Sequence, residues 1–169
     1  WGIGLSSKVV KPAQGDVSPF YKFIQATFGH EDPRHADYLV RRLAWMFQQP
    51  LAKHPTWIYL IGAPMQGKSA LIKLISSLVG QAYVSNIDEK AMQSSFSEWR
   101  AEKLLITLDD SSVQQRHAVQ QLLKRLTTEE ASQVEKKWQS QYTAPNASTS
   151  FFAANGTEPV IEHDDRSAW

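Results

Sequence analysis

The chain alternates short apolar runs with longer segments in which apolar residues recur every three or four positions. Short apolar runs bounded by Gly, Pro or charged residues predict buried strands. These runs lie at 57–61, 82–84, 104–108 and 150–154. Helical spacing predicts helices at 68–79, 91–101 and 113–126. Because strands alternate with helices, the pattern predicts an α/β fold with a mostly parallel sheet flanked by helices.

Two further amphipathic segments precede the first strand. Ser18 is a favourable N-cap, with Pro19 at the first helical position. A second helix is expected at 33–48, with Arg42 on its solvent side and Phe47 buried. The predicted organisation is a linker at 1–17, a small N-terminal helical cap at 18–50 and a main domain at 51–169.

Composition limits the classes of protein to which the chain can belong. Its 169 residues are 42% hydrophobic and 21% charged, which is typical of a folded domain. The absence of cysteine excludes disulfides and thiolate metal sites. No apolar run is long enough to cross a bilayer, so we expect no membrane contact and a cytoplasmic protein. The chain begins at Trp1 and is expected to be a fragment of a longer protein.

The segment at 62–69 fits the pattern G-x-x-x-x-G-K-[ST] between a predicted strand and a predicted helix. Backbone N–H groups of such a loop converge on phosphate oxygens. Lys68 is expected to reach the β- and γ-phosphates, and the Ser69 hydroxyl to bind Mg²⁺. The candidate nucleotide contacts are Gly62, Ala63, Pro64, Met65, Gln66, Gly67, Lys68 and Ser69. The pattern predicts ATP or GTP binding with Mg²⁺; the alternative is a glycine-rich turn with an exposed lysine.

Polar residues follow two of the predicted strands. Asp109 and Asp110 come directly after 104–108, where Asp109 would support the metal and Asp110 would activate a water molecule. The alternative is a solvated turn in which Asp110 caps the next helix. Asn155 follows the last strand, and its amide could contact the γ-phosphate. Asn155-Gly156 is also a common turn signal, which is the alternative for this residue.

With these motifs in this order, the chain resembles the ATPase domain of superfamily 3 helicases. It is most similar to phage and plasmid primase-helicases, which are related to poxvirus primase-helicases. The resemblance covers about 19–169 and includes the segments 96–100, 123–129, 134–137, 151–155 and 164–166. It implies an AAA+-like P-loop NTPase fold that has a hairpin inserted before the last strand.

The resemblance also implies an activity. By analogy the chain would be the ATP-hydrolysing motor of a replicative DNA helicase, acting on single-stranded DNA within a hexameric homo-oligomeric ring. A primase domain would be fused to it in the longer protein. Asn155 would sense the γ-phosphate, and Arg166 would reach into the ATP site of the neighbouring subunit. Rival functions are an ATP-switched DNA-binding initiator or loader that does not unwind DNA, and a small-molecule kinase.

The polar segment between the last predicted helix and strand is where the hairpin is expected. Thr127 and Glu130 fit a capping box that would start a short helix. Polar strands on either side of a turn at Pro145-Asn146 would then form the hairpin.

Basic and aromatic residues on this segment are candidates for contacting DNA. In the helicases that the chain resembles, basic residues of the hairpin hold DNA phosphates. Here the candidates are Lys136 and Lys137, with Trp138 or Tyr142 as groups that could stack on a base. The alternative is a solvated hairpin whose Trp138 packs against the domain.

Overall fold

A computed structural model describes residues 14–88, 90–91, 94, 97–109, 116–135, 138 and 140–155. The chain divides into two compact units, residues 1–48 and 49–169.

The first unit contains the two predicted helices, and the second of them has the predicted bounds. Helix α1 spans Ser18–Phe28 and helix α2 spans Pro33–Gln48. The prediction that Ser18 caps α1 is wrong, because Ser18 already lies within the helix. Instead, Asp16 accepts hydrogen bonds from the Ser18 backbone N–H at 2.9 Å and from its hydroxyl at 3.0 Å.

Two side chains of α2 differ from the prediction. Arg42 is buried, and its guanidinium carbon lies 5.1 Å from the centre of the Trp45 ring. At helical spacing Arg42 falls beside the buried Leu39 and Met46, where the aliphatic part of an arginine can pack. Phe47 lies in the last turn of the helix and is 46% exposed.

The second unit contains the sheet. Its elements are β1 (Ile58–Gly62), α3 (Lys68–Val79), a 3₁₀ turn (Gln81–Tyr83), β2 (Val84–Ile87), a 3₁₀ turn (Glu98–Arg100), β3 (Leu105–Asp109), α4 (Arg116–Thr128), β4 (Ala131–Val134), β5 (Tyr142–Pro145) and β6 (Thr149–Asn155). Four strands pair in parallel in the order β1-β6-β3-β2. This confirms the α/β fold with a parallel sheet flanked by helices. The predicted strand at 82–84 is displaced, because the 3₁₀ turn occupies most of it and β2 begins at Val84.

The core is built on both faces of the central strand β6. Phe151 and Phe152 are 1% and 0% exposed, and successive strand residues point to opposite faces. On one face, Phe152 packs with Ile106 of β3 in a cluster that includes three leucines of α4: Leu122, Leu123 and Leu126. Helix α3 also contacts β3 and β6, and its Leu71 is fully buried. Every residue of β6 from Thr149 to Ala154 is buried, as expected for a strand of a parallel sheet that is covered on both faces.

The hairpin is present, but its turn is not where the pattern predicts it. Strands β4 and β5 are antiparallel, with Ala131 opposite Pro145 and Val134 opposite Tyr142, so the turn lies between Val134 and Tyr142. The turn predicted at Pro145-Asn146 is wrong, because Pro145 ends β5 and Asn146 is buried. Asn146 satisfies its amide through carbonyl groups distant in sequence, and no local pattern reveals such partners.

The short helix predicted from Thr127 is also wrong. Thr127 lies in the last turn of α4, and its hydroxyl donates to the carbonyls of Leu123 at 3.0 Å and Lys124 at 2.9 Å. Strand β4 begins at Ala131, which leaves no room for another helix. The hydroxyl therefore bonds backward into a helix that is ending, whereas a capping box requires it to bond forward.

We predict that Leu123→Ala lowers the free energy of unfolding by about 2–5 kcal/mol, because it leaves a cavity between α4 and the sheet. Leu123 is 2% exposed and Leu78, on α3, is 61% exposed. Leu78→Ala is therefore the matched control and should change stability by about 0.5 kcal/mol or less. Urea unfolding followed by circular dichroism measures both values. Equal losses in the two variants would contradict this packing.

Candidate functional site

The loop from Gly62 to Lys68 joins the end of β1 to the beginning of α3. Gly67 has φ 86° and Met65 has φ 65°, both in the left-handed region. Met65 carries a side chain that disfavours this region and is fully exposed at the loop. A Cβ added to Gly62 would lie 2.1 Å from Oε1 of Gln66, so the Gln66 side chain folds over Gly62. The loop thus has the sharply curved backbone typical of functional turns.

Lys68 points back into this loop. Its side chain is buried, and its ammonium group donates hydrogen bonds to the carbonyl oxygens of Gly62 at 2.6 Å and Ala63 at 2.8 Å. The predicted alternative of an exposed lysine is therefore wrong. A cation held by two carbonyls at the end of a strand is positioned to exchange these oxygens for those of an anion.

The first turn of α3 adds further hydrogen-bond donors. Gly67 occupies the N-cap position and, having no side chain, makes no capping hydrogen bond. The first N–H groups of a helix have no partners within the helix and carry partial positive charge. Ser69 lies in this turn and is exposed. The loop therefore combines a lysine ammonium, helix-terminal N–H groups and a hydroxyl, a donor set suited to phosphate.

The register of the sheet brings the strand ends together. Gly62 is the partner of Asn155 across β1 and β6, and Asp109 is the partner of Ala153 across β3 and β6. Neighbouring strands are about 4.8 Å apart, so the backbone of Asn155 lies about 5 Å from the backbone of Gly62, where the loop starts. Asn155 is exposed at this edge. The sheet therefore brings Gly62, Asn155 and the backbone of Asp109 to the same edge.

Other predicted site residues lie outside what the structure describes. These are Asp110, Lys136, Lys137, Arg166 and the side chain of Asp109. Trp138 of the hairpin turn is described: it has φ 66° and is 91% exposed. The alternative in which Trp138 packs against the domain is therefore wrong. Among the described residues, no group of three or more His, Cys, Asp or Glu side chains could hold a metal ion.

Two cations of the second unit, Lys53 and Arg100, are half-buried. Burial lowers the pKa of Lys53 to about 8, against the opposing effect of Glu129 and Glu130. Burial also lowers the pKa of Arg100, helped by the charge of Arg125 and opposed by Glu129. Both cations lie close to the end of α4, and neither belongs to a recognisable motif.

Comparison with known proteins identifies relatives of this chain. The model of a family of unknown function, DUF5906, matches residues 60–167. A DNA primase-polymerase from Nitratiruptor phage NrS-1 is 26% identical over 161 residues, which are 93% of this chain and 22% of that protein. Two solved apo structures of the NrS-1 C-terminal region share the fold, with TM-scores of 0.80 and 0.79 at 22% and 23% identity. They cover 95% of this chain, which spans 38% and 39% of theirs.

These relatives overturn the resemblance to superfamily 3 helicases. The matching family is DUF5906, which is a different family, and the similar phage protein is a DNA primase-polymerase. The predicted ATP-driven helicase motor is therefore wrong, and the relatives support neither that motor nor the initiator or loader offered as its alternative. The motifs behind the resemblance are short, and similar spacing of strand ends recurs in unrelated parallel sheets.

One further prediction concerns membranes. None of the helices in the described part of the chain combines the length and the apolar content needed to span a bilayer.

We predict that Gly67→Ala lowers the free energy of unfolding by about 1–2 kcal/mol, because a Cβ is unfavourable at φ 86°. Gly67→Asn should cost less, since asparagine tolerates this conformation. Gly15→Ala is the control, because a Cβ there meets nothing within 4 Å. Urea unfolding of the three variants tests this. An alanine variant at 67 as stable as the unmodified chain would contradict the left-handed geometry.

Proposed function

Because this chain belongs to the DUF5906 family and is similar to part of a phage DNA primase-polymerase, we propose that it is a nucleotide-binding domain of a DNA-replication enzyme. Its ligand would be a nucleoside triphosphate with Mg²⁺, bound at 62–69. The observation that carries this proposal is the buried ammonium group of Lys68, held inside the glycine loop by the Gly62 and Ala63 carbonyls.

The chemistry of the loop favours a polyphosphate over a simple anion. Lys68 supplies one full positive charge, and the first turn of α3 supplies partial charge beside it. A hydrogen bond from the ammonium group to an anionic phosphate oxygen adds an attraction between full charges, which the neutral carbonyls do not supply. A bound triphosphate would therefore displace the Gly62 and Ala63 carbonyls from the ammonium group.

The residues at the sheet edge suit a magnesium ion. We propose that the hydroxyl of Ser69 and the carboxylate of Asp109 would hold Mg²⁺, which neutralises phosphate charge when bound. Asn155, opposite Gly62 in the register, would donate its amide to the terminal phosphate. Asp110 would orient water beside it. The strand order β1-β6-β3-β2, with the glycine loop after an end strand, supports a P-loop type of fold as part of this proposal.

We predict that Lys68→Ala weakens binding of Mg²⁺-nucleoside triphosphate by about 10- to 150-fold, the equivalent of about 1.5–3 kcal/mol for a hydrogen bond to a charged group. Lys73→Ala is the matched control, because Lys73 lies on the same helix and is exposed. The dissociation constants are measured by titration with fluorescent ribonucleoside and deoxyribonucleoside triphosphates in the presence of Mg²⁺. Equal affinities for the unmodified chain and Lys68→Ala would refute the proposed site.

The hairpin is the proposed contact for nucleic acid. Its turn presents Trp138, which is 91% exposed, and in the sequence Trp138 directly follows Lys136 and Lys137. Single-stranded nucleic acids are bound by aromatic side chains that stack on bases and by cations that contact phosphates. The similarity to a DNA primase-polymerase makes DNA the proposed partner. A homo-oligomer remains a prediction that molecular mass in solution would test. The contribution of Arg166 to a neighbouring site is a prediction that depends on such an oligomer.

We predict that Lys136→Ala and Lys137→Ala each weaken binding of a single-stranded thymidine oligonucleotide. Each should also reduce the slope of log K against log salt by about 0.7, since one phosphate contact is lost. Trp138→Ala should cost about 1–3 kcal/mol with little change in that slope, because stacking is not ionic. Lys124→Ala, an exposed lysine on α4, is the control. A uniform salt slope across all four variants would exclude the hairpin as the contact.

A further inference from the structure

Two side chains from distant parts of the second unit converge on the same pair of carbonyl groups. The Lys53 ammonium donates to the backbone oxygens of Leu126 at 2.5 Å and Glu129 at 2.6 Å. The Asn146 amide donates to the same two oxygens, at 3.0 and 2.9 Å. Carbonyls at the end of a helix lack partners within the helix, and a cation is favourable there. We call Lys53, Asn146, Leu126 and Glu129 the carbonyl node.

Asn146 is itself held rigidly within this node. Its backbone N–H donates to the Glu130 oxygen at 2.9 Å, and its side-chain oxygen accepts a hydrogen bond from the Ser148 hydroxyl at 2.9 Å. Asn146 and Ser148 are 8% and 4% exposed. A buried amide whose donor and acceptor groups both have partners fixes the backbone on either side of it.

The node joins the segment before β1, the end of α4 and the segment between β5 and β6. Lys53 precedes β1, and Asn146 directly precedes the segment that leads into β6. Glu129 and Asn146 also flank the base of the hairpin, where Ala131 of β4 pairs with Pro145 of β5. Strands β1 and β6 pair in parallel, from Ile58 opposite Phe151 to Gly62 opposite Asn155. The carbonyl node therefore lies near the beginnings of both strands, and the candidate phosphate loop lies at their ends.

We propose that Lys53 and Asn146 are positioning residues, which hold the base of the β4–β5 hairpin against the beginnings of β1 and β6. Without them the base of the hairpin would lose its attachment to the sheet, and the pairing of β4 with β5 would open locally more often. The hairpin is also attached at residues 97–101. The Ser97 hydroxyl donates to the Gln133 oxygen and accepts from the Glu135 N–H, and the Ser97 N–H donates to the Glu135 oxygen, all at 3.0 Å. Val134 and Ala144 pack there with Ala101, so Lys53 and Asn146 are assigned only the base of the hairpin.

The proposal has a consequence for ligand binding that rests on the proposed function. If the β4–β5 hairpin contacts nucleic acid, loss of its fixed position relative to the sheet weakens the binding of an oligonucleotide. The phosphate loop lies at the opposite end of β1, so binding of a nucleoside triphosphate is not expected to change. The two ligands therefore separate loss of hairpin position from general loss of structure.

The test uses hydrogen exchange of the full chain with three lysine variants. Lys53→Met keeps most of the aliphatic stem and removes the cation, and Lys53→Arg restores a donor. Lys103→Met is the matched control, because the Lys103 ammonium also donates to one backbone oxygen, that of Ala82 at 2.8 Å. We expect exchange in β4 and β5 to become at least 10-fold faster in Lys53→Met, with β3 and β6 changed less than twofold. Lys53→Arg and Lys103→Met should match the unmodified chain.

Two results would overturn the proposal. One is unchanged exchange in the hairpin of Lys53→Met; the other is equal acceleration in the hairpin and in β3 and β6, which indicates general destabilisation. Asn146→Ala gives an independent second measurement with the same expectation. In a thymidine-oligonucleotide titration, Lys53→Met should bind at least fivefold more weakly, and unchanged binding would refute the link to nucleic acid. If the unmodified chain binds no oligonucleotide, the proposed function fails while the exchange experiment still decides the role of the node.

Discussion

The position of β6 between β1 and β3 is the constraint on which the candidate site depends. Both large side chains of β6, Phe151 and Phe152, are fully buried on opposite faces, so the strand cannot shift by one residue without exchanging its two faces. This register sets Asn155 opposite Gly62 and Ala153 opposite Asp109. Since all the strands of the sheet are parallel, their polar ends meet at one edge. The hydrophobic core therefore determines which chemical groups are neighbours.

The regular elements could be predicted because their information is local. Helix α3 has its predicted bounds, since apolar spacing marks its face and glycines mark both ends. The curved loop from Gly62 to Lys68 is likewise indicated by its spacing of glycine, lysine and serine. Periodicity does not show whether a long side chain at the edge of the apolar face of a helix is buried. The prediction that Arg42 lies on the solvent side of α2 is wrong for this reason. The same limit applies to β2, where a 3₁₀ turn takes up residues whose composition is typical of a strand.

The carbonyl node could not be predicted, because its partners are far apart in the chain. Asn146 follows a proline, a pair typical of turns, yet its amide reaches carbonyls 17 and 20 residues earlier. Lys53 lies in a loop with no motif and donates to carbonyls 73 and 76 residues later. Backbone acceptors exist at every position, so sequence patterns cannot indicate which of them a side chain will meet. Only the assembled end of α4 defines this site.

The error in family assignment and the prediction of a phosphate site at the Gly62–Lys68 loop have the same physical origin. A parallel sheet brings every strand end to one edge, and a loop that cradles phosphate needs glycine and a cation after one of those strands. Motifs of this kind report local chemistry and carry little information about the reaction that the whole protein performs. The chain spans 22% of the related primase-polymerase, so the reacting groups of such an enzyme need not lie within it. The contribution proposed for this domain is to bind and orient a triphosphate at one end of β1 and β6, and to hold the β4–β5 hairpin in a fixed direction at the other end.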